Sequence, residues 1–286
     1  MILVAIISAI VSFVSPFLGL FLIVGFGAKY LVPKQNIVFW VVNLSLIVFA
    51  VVFAKNKVYY LTGFDAIFGA LFGGIIFFWA LNSSKSMAKA LSVIFLFELV
   101  IGILRSYLFK EQILNTVLTA YNLYDGYVTE KFVDIPDKMM LAKDMLLKVK
   151  NFLGFYQIAI WTFSEISFLY IASIVASKKK TIELVHKRIR MPYIFVYLLI
   201  AFLALALFKQ TKVLGLNLLI SISMLYFIQG FSILDFFWGK MFRRSKFLLI
   251  LLIISLFLNT FIMILIALTG LTDVWLDYRK LNENQK

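Results

Sequence analysis

The chain has 286 residues, of which 63% are hydrophobic and 15% charged, and its mean hydropathy is +0.99. Soluble domains run near half apolar and about a quarter charged, so this composition excludes an ordinary soluble globule and points to a bilayer. One histidine, His186, and no cysteine exclude disulfides, thiolate metal centres, iron–sulfur clusters and multi-histidine sites, so neither a metal nor another cofactor is expected.

Eight apolar blocks approach the ~20 residues that a helix needs to cross ~30 Å of hydrocarbon. In chain order they are Ile2 to Phe26, Ile37 to Ala54, Tyr59 to Leu81, Ala90 to Phe109, Phe152 to Ala176, Met191 to Phe208, Val213 to Trp238 and Phe247 to Leu271. Pro16 removes a backbone donor in mid-block, so the first block reads either as one bent helix or as two short ones. The fold class that follows is all-α: a polytopic transmembrane helix bundle of eight to nine membrane helices with an amphipathic extramembrane segment.

That extramembrane segment is Lys110 to Lys150, with six lysines against six acids. Ile113, Val117 and Leu118, then Met139, Met140, Leu146 and Leu147, recur at helical spacing and predict two amphipathic helices joined by a turn near Asp125-Gly126. Between them Tyr121, Tyr124 and Tyr127 fit either an interfacial aromatic belt or a lid over a ligand. The basic run at Lys178 to Arg190 divides the chain into an N-terminal module, 1–177, and a C-terminal module, 178–286. Pro192 then stands where a first-turn proline opens the sixth helix.

Short-loop lysines and arginines fall into two alternating sets of 14 and seven, which predicts a cytoplasmic location for Lys85, Lys89 and Lys178 to Arg190. The Lys110 to Lys150 segment and the C-terminus then face outward. The net charge of +14 needs no nucleic-acid partner, because basic loops that meet anionic membrane lipids account for it.

Ionisable residues inside apolar blocks are the strongest functional candidates, since a charge at the bilayer centre costs about 2.5–3.5 kcal/mol even on insertion scales. Glu98 and Glu165 lie near the centres of the fourth and fifth blocks, with Asp65 and Asp235 nearer block ends. Arg105 shares a helix face with Glu98 and is placed to neutralise Glu98 or Glu165. Trp161 and Thr162 share the face of Glu165 and offer a stacking plane and a hydroxyl. Asp65, followed by Gly69 and Gly73 at a spacing that lets helices approach, joins Gln157, Asn217 and Gln229 as a polar second layer around these residues. The motifs HExxH, GxSxG and GxxxxGK[ST] are absent, so no hydrolase or ATP-coupled chemistry is expected.

The C-terminal third carries a resemblance. The run Leu216-Asn217-Leu-Leu, then Leu225-Tyr226-Phe-Ile-Gln229-Gly230-Phe, and Gly270-Leu-Thr-Asp273-Val-Trp275-Leu-Asp277-Tyr-Arg279 resemble the YybS-like family, bacterial inner-membrane proteins of unknown function. Pro16-Phe-Leu-Gly19 and Arg190-Met-Pro192 fit it too. The first five blocks are distantly similar to the six-helix substrate-binding components of energy-coupling-factor vitamin transporters, provided the Pro16 block supplies two helices. The resemblance implies a transporter-type inner-membrane protein that binds a small solute and relies on a partner membrane protein or energising module. The alternative is a non-transporting scaffold. At the C-terminal motif, Asp273 and Asp277 predict a helix-end anchor in which one aspartate pairs with Arg279 or a neighbouring base.

Overall fold

A computed structural model describes residues 1–31, 36–53, 58–178 and 188–280, and within these every regular element is helical. In order they are α1 (Ile2–Val14), α2 (Pro16–Leu31), α3 (Ile37–Phe53), α4 (Val58–Phe64), a π-helical segment (Asp65–Phe72), α5 (Gly73–Ser84), α6 (Met87–Leu108), α7 (Lys110–Lys131), α8 (Pro136–Phe155), α9 (Gln157–Lys178), α10 (Ile194–Leu207), α11 (Lys212–Arg244), α12 (Lys246–Leu258) and α13 (Thr260–Leu276). Four helices are long and apolar enough to cross a membrane by length and composition: Tyr59–Ser84, Met87–Leu108, Gln157–Lys178 and Lys212–Phe242. The bent pair α12–α13 makes a fifth candidate, and α1, α2, α3 and α10 are shorter apolar helices. The chain is therefore a multi-pass helical membrane protein. The bases at Lys34, Lys55 and Lys57, His186, most of the basic run after Lys178, and the tail beyond Lys280 lie outside the described residues.

Local chemistry sets the breaks. Ser15, immediately before Pro16, is extended (φ −151°, ψ 109°), because the proline ring disfavours helical backbone in its predecessor. The first block is thus two helices, and α1 folds back along α2 so that Gly19 packs directly on Ser12. The last block is also divided: Asn259 is extended, and its side chain accepts from Phe261 N at 2.9 Å, capping α13. Pro192 precedes α10 rather than opening it: its carbonyl accepts from Phe195 N at 3.1 Å, and the helix starts at Ile194. One hydrophobic core cluster runs from Ala5 to Val274 and draws on residues on both sides of Lys178.

The Lys110 to Lys150 segment departs from expectation in one respect. α7 runs straight through Asp125-Gly126, and the turn lies at residues 132–135, where Pro136 opens α8 at its first turn. Asp-Gly is a turn signal only where no stronger helix signal surrounds it, and a proline pre-set for the first helical position is the stronger start marker. Single residues, Phe109 and Tyr156, join this helical pair to α6 and α9, so α7 and α8 project as an antiparallel hairpin of about 30 Å. Its seam is held by Lys143–Asp125 at 3.6 Å and by Lys150 over the Tyr121 ring at 4.6 Å. Tyr121 is therefore a packing residue, while Tyr124 and Tyr127 are exposed.

The misplaced turn supplies a direct check. A Cβ at Gly126 would meet nothing within 4 Å, so Gly126→Ala is expected to stabilise the hairpin by up to ~1 kcal/mol through helix propensity. Chemical unfolding should show the rise; a loss of stability would mean that Gly126 serves a turn after all.

Candidate functional site

Three segments converge on one buried polar cluster. The π segment supplies Asp65, α6 supplies Glu98 and Arg105, and α9 supplies Trp161, Thr162 and Glu165. A π turn widens the backbone locally and is common at functional sites. Here it begins at Asp65 and presents Gly69 to Glu165, and Gly73, the first residue of α5, meets Glu98. A Cβ at Gly69 would stand 2.5 Å from Glu165 Oε1, and one at Gly73 would stand 2.8 Å from Glu98 Oε1. Only glycine lets the helix backbone come this close to both carboxylates.

The guanidinium of Arg105 is engaged by the acid that sequence spacing ranked lower. Its Nε donates to Asp65 Oδ1 at 2.8 Å and its Nη2 to Asp65 Oδ2 at 2.9 Å, a bidentate pair. The expectation that Arg105 neutralises Glu98 or Glu165 is thereby corrected: a seven-residue spacing along α6 places Arg105 and Glu98 on one face, but the carboxylate in bidentate reach comes from the π segment. Arg105 Cζ also lies 4.8 Å from the Trp161 ring centroid, and Trp161 Nε1 donates to Glu98 Oε2 at 3.1 Å. Phe17 packs against the same indole at 5.5 Å. Trp161 is therefore a bridge between Arg105 and Glu98, not the open stacking plane expected.

Glu98, Thr162 and Glu165 are each fully buried. Among the described residues, Glu98 Oε1, Thr162 Oγ1 and both oxygens of Glu165 have no hydrogen-bond partner. Buried polar atoms are nearly always paired, so four orphans on two neighbouring helices are an unusual concentration. The cluster has strong acceptors and one hydroxyl, and among the described residues neither glutamate forms an ion pair.

The expected second layer disperses. Asn217 accepts from Ala159 N at 3.0 Å and donates to Phe155 O at 2.8 Å, fastening α11 across the α8–α9 junction. Gln157 donates to Gly154 O at 3.0 Å at the same junction. Gln229 accepts from Met191 N at 2.9 Å and donates to Asp273 Oδ2 at 3.1 Å, near the opposite end of α11. Of the polar second layer only Asp65 reaches the cluster, because amides in apolar helices serve whichever backbone ends lie beside them.

Gln229 instead belongs to a clasp at the C-terminal motif. Arg279 Nη2 donates to Asp273 Oδ2 at 2.6 Å and to the Ile189 carbonyl at 2.9 Å, and its Nη1 donates to Ser232 Oγ at 2.6 Å. Asp277 faces Arg190 at 3.4 Å, while Trp275 Nε1 donates to the Tyr193 hydroxyl at 3.1 Å. This is the expected helix-end anchor, with Asp273 on Arg279 and Asp277 on a neighbouring base. It ties α13 to α11 and to the segment before α10, and its acid is already paired. No family model, curated protein or solved structure matches the chain, so the YybS-like resemblance stands on its sequence motifs alone.

Proposed function

We propose that this chain is a transporter-type protein of the bacterial inner membrane that binds a small cationic solute at Glu98 and Glu165 and relies on a partner protein for energy. One observation carries the reading: Arg105 is held by Asp65, while the two glutamates keep three unpartnered oxygens in a buried setting. An unpaired buried carboxylate costs several kcal/mol, so a positively charged occupant has much to gain there. The backbone at Gly69 and Gly73 abuts the carboxylates and neither described cavity touches these residues, so the occupant is small and enters as the helices part, with Thr162 as an added acceptor. In this reading α1, α2, α3, the Tyr59–Ser84 helix, α6, α9, α10 and α11 each cross the bilayer, eight spans that start from a cytoplasmic N-terminus, while α12 and α13 lead in and back: Asp277 meets Arg190 and Arg279 meets the Ile189 carbonyl, so the C-terminal motif is on the side of the Lys178 to Arg190 loop and not opposite it as the loop bases predicted.

A second reading, a scaffold that recruits other proteins, is favoured by the projecting hairpin, where Leu141, Met145 and Val149 form an exposed row along α8. Binding separates the two. Tetramethylammonium, methylammonium and putrescine chlorides are tested for a rise in the thermal unfolding midpoint of detergent-solubilised protein, against sodium chloride. At least one organic cation is expected to raise it, with Glu165→Gln weakening the apparent affinity at least ~10-fold, the effect of losing ~1.4 kcal/mol. The unliganded variant is expected to unfold no earlier than wild type, because the amide replaces an unpartnered acid. If Glu165→Gln unfolds early and no cation shifts either protein, Glu165 is structural and the scaffold reading takes over.

A further inference from the structure

The two glutamates are walled off unequally. Away from the hairpin, Leu91, Ile94 and Phe95 of α6, Leu169 of α9 and Leu20 of α2 are all fully buried, an apolar plug that runs about two turns, or ~10 Å, along α6 from Glu98. Toward the hairpin the barrier is of another kind. The side chains of Arg105 and Asp65 are 16% and 8% exposed, so the surface of the molecule reaches this ion pair. Trp161 joins the pair to the site: its ring lies 4.8 Å from Arg105 Cζ, and its Nε1 donates to Glu98 Oε2.

The indole closes its slot against bare backbone. A Cβ at Gly69 would stand 2.8 Å from Trp161 Cζ2, and one at Gly102 would stand 3.0 Å from Cδ1. Both halves of the ion pair are tied to the base of the hairpin. Asp65 follows Phe64, whose ring packs on Phe109 at 5.2 Å, and Phe109 N donates to Arg105 O at 3.0 Å. Phe109 is the joint between α6 and α7. Asp65 is also the first residue of the π segment, and a π turn is a local departure from the α-helix that often marks a functional site.

Resting on the cation-site reading above, we propose that the Asp65–Arg105 pair and the Trp161 indole are the gate of the Glu98–Glu165 site, and that the solute enters and leaves on the hairpin side. In the closed state the pair latches the π segment to α6, and the indole seals the carboxylates. Relaxation of the π turn, or a tilt of the hairpin about Phe109, carries Asp65 off Arg105. The indole then loses its cation, turns aside and uncovers Thr162 and the glutamates, while the plug on the other side stays shut.

The cysteine-free chain suits a thiol-accessibility test. Thr162→Cys places a thiol behind the gate, and Leu91→Cys places one in the plug. Each is reacted in membrane vesicles of both orientations with the impermeant cation trimethylammonioethyl methanethiosulfonate. Tyr124→Cys, on the exposed face of the hairpin, identifies the orientation that presents that side. From there Thr162→Cys is expected to react slowly, and at least ~10-fold faster once Asp65→Asn/Arg105→Met removes the latch, as a tenfold rise in the open population requires. Trp161→Phe keeps a ring beside Phe17 and drops the tether to Glu98; it is expected to act in the same direction and stands in should the double variant unfold. Leu91→Cys should stay unreactive throughout, which separates gate opening from general loosening. Faster reaction from the opposite side, a Thr162→Cys rate unmoved by both gate variants, or a parallel rise at Leu91→Cys would overturn the gate; organic cations that still bind would then leave the cation site standing with another entrance. Equal rates for the anionic sulfonatoethyl reagent after latch removal would uphold the gate and count against the cation reading.

Discussion

Arg105→Met is expected to destabilise the protein by about 3–5 kcal/mol, measured as a loss of unfolding free energy in mixed detergent, because it strips the buried Asp65 of its ionic partner among the described residues. The substitution also removes the cation over Trp161 and leaves three acids without a base between the π segment, α6 and α9. Asp65→Asn is expected to cost much less. The freed guanidinium then has Glu98 and Glu165 within the same cluster to turn toward, so a charge remains compensated. In the double variant Asp65→Asn/Arg105→Met, most of the single Arg105→Met loss should return, since no charge of that pair is left stranded. Equal losses in the two single variants would show that Arg105 serves Asp65 alone and has no reach to the glutamates.

Gly270→Leu is expected to be as damaging, by a different mechanism. α13 and α11 meet at their backbones: a side chain at Gly270 would run into the Tyr226 carbonyl and Gly230 N, and one at Gly230 into the Ile266 carbonyl. Overpacking a core typically costs ~1–3 kcal/mol, and more where backbone atoms, which cannot turn aside, form the obstacle. Separating the helices there would also pull Asp273 from Gln229, one turn farther along. Reduced membrane abundance and early unfolding are the expected readouts, with Gly270→Ala intermediate. Wild-type stability in Gly270→Leu would mean that α13 is not held in this position.

Much of the architecture was legible in the residues. Apolar block length and Pro16 marked the helices and the first break, because hydrocarbon thickness and the missing proline donor act on sequence directly. Asn259 stands inside an apolar block, where an amide ordinarily suggests an interhelical hydrogen bond, yet it caps a helix that begins there. Cap preference and apolar run length compete there, and only backbone geometry decides. At the candidate site, the residue types were visible and the pairing was not. Periodicity on α6 links Glu98 with Arg105, but it carries no information on which carboxylate a neighbouring helix brings into bidentate range. Asp65 won because the π turn carries it there, and a π turn has no simple sequence signature.

Native mass spectrometry of gently purified protein reads directly whether Glu98 and Glu165 hold a small positively charged solute. A cationic adduct at one per chain is expected on wild type and absent from Glu165→Gln, with both proteins folded. Bare masses for both, even after incubation with the organic cations tested above, would contradict it and leave the buried acids as structural groups.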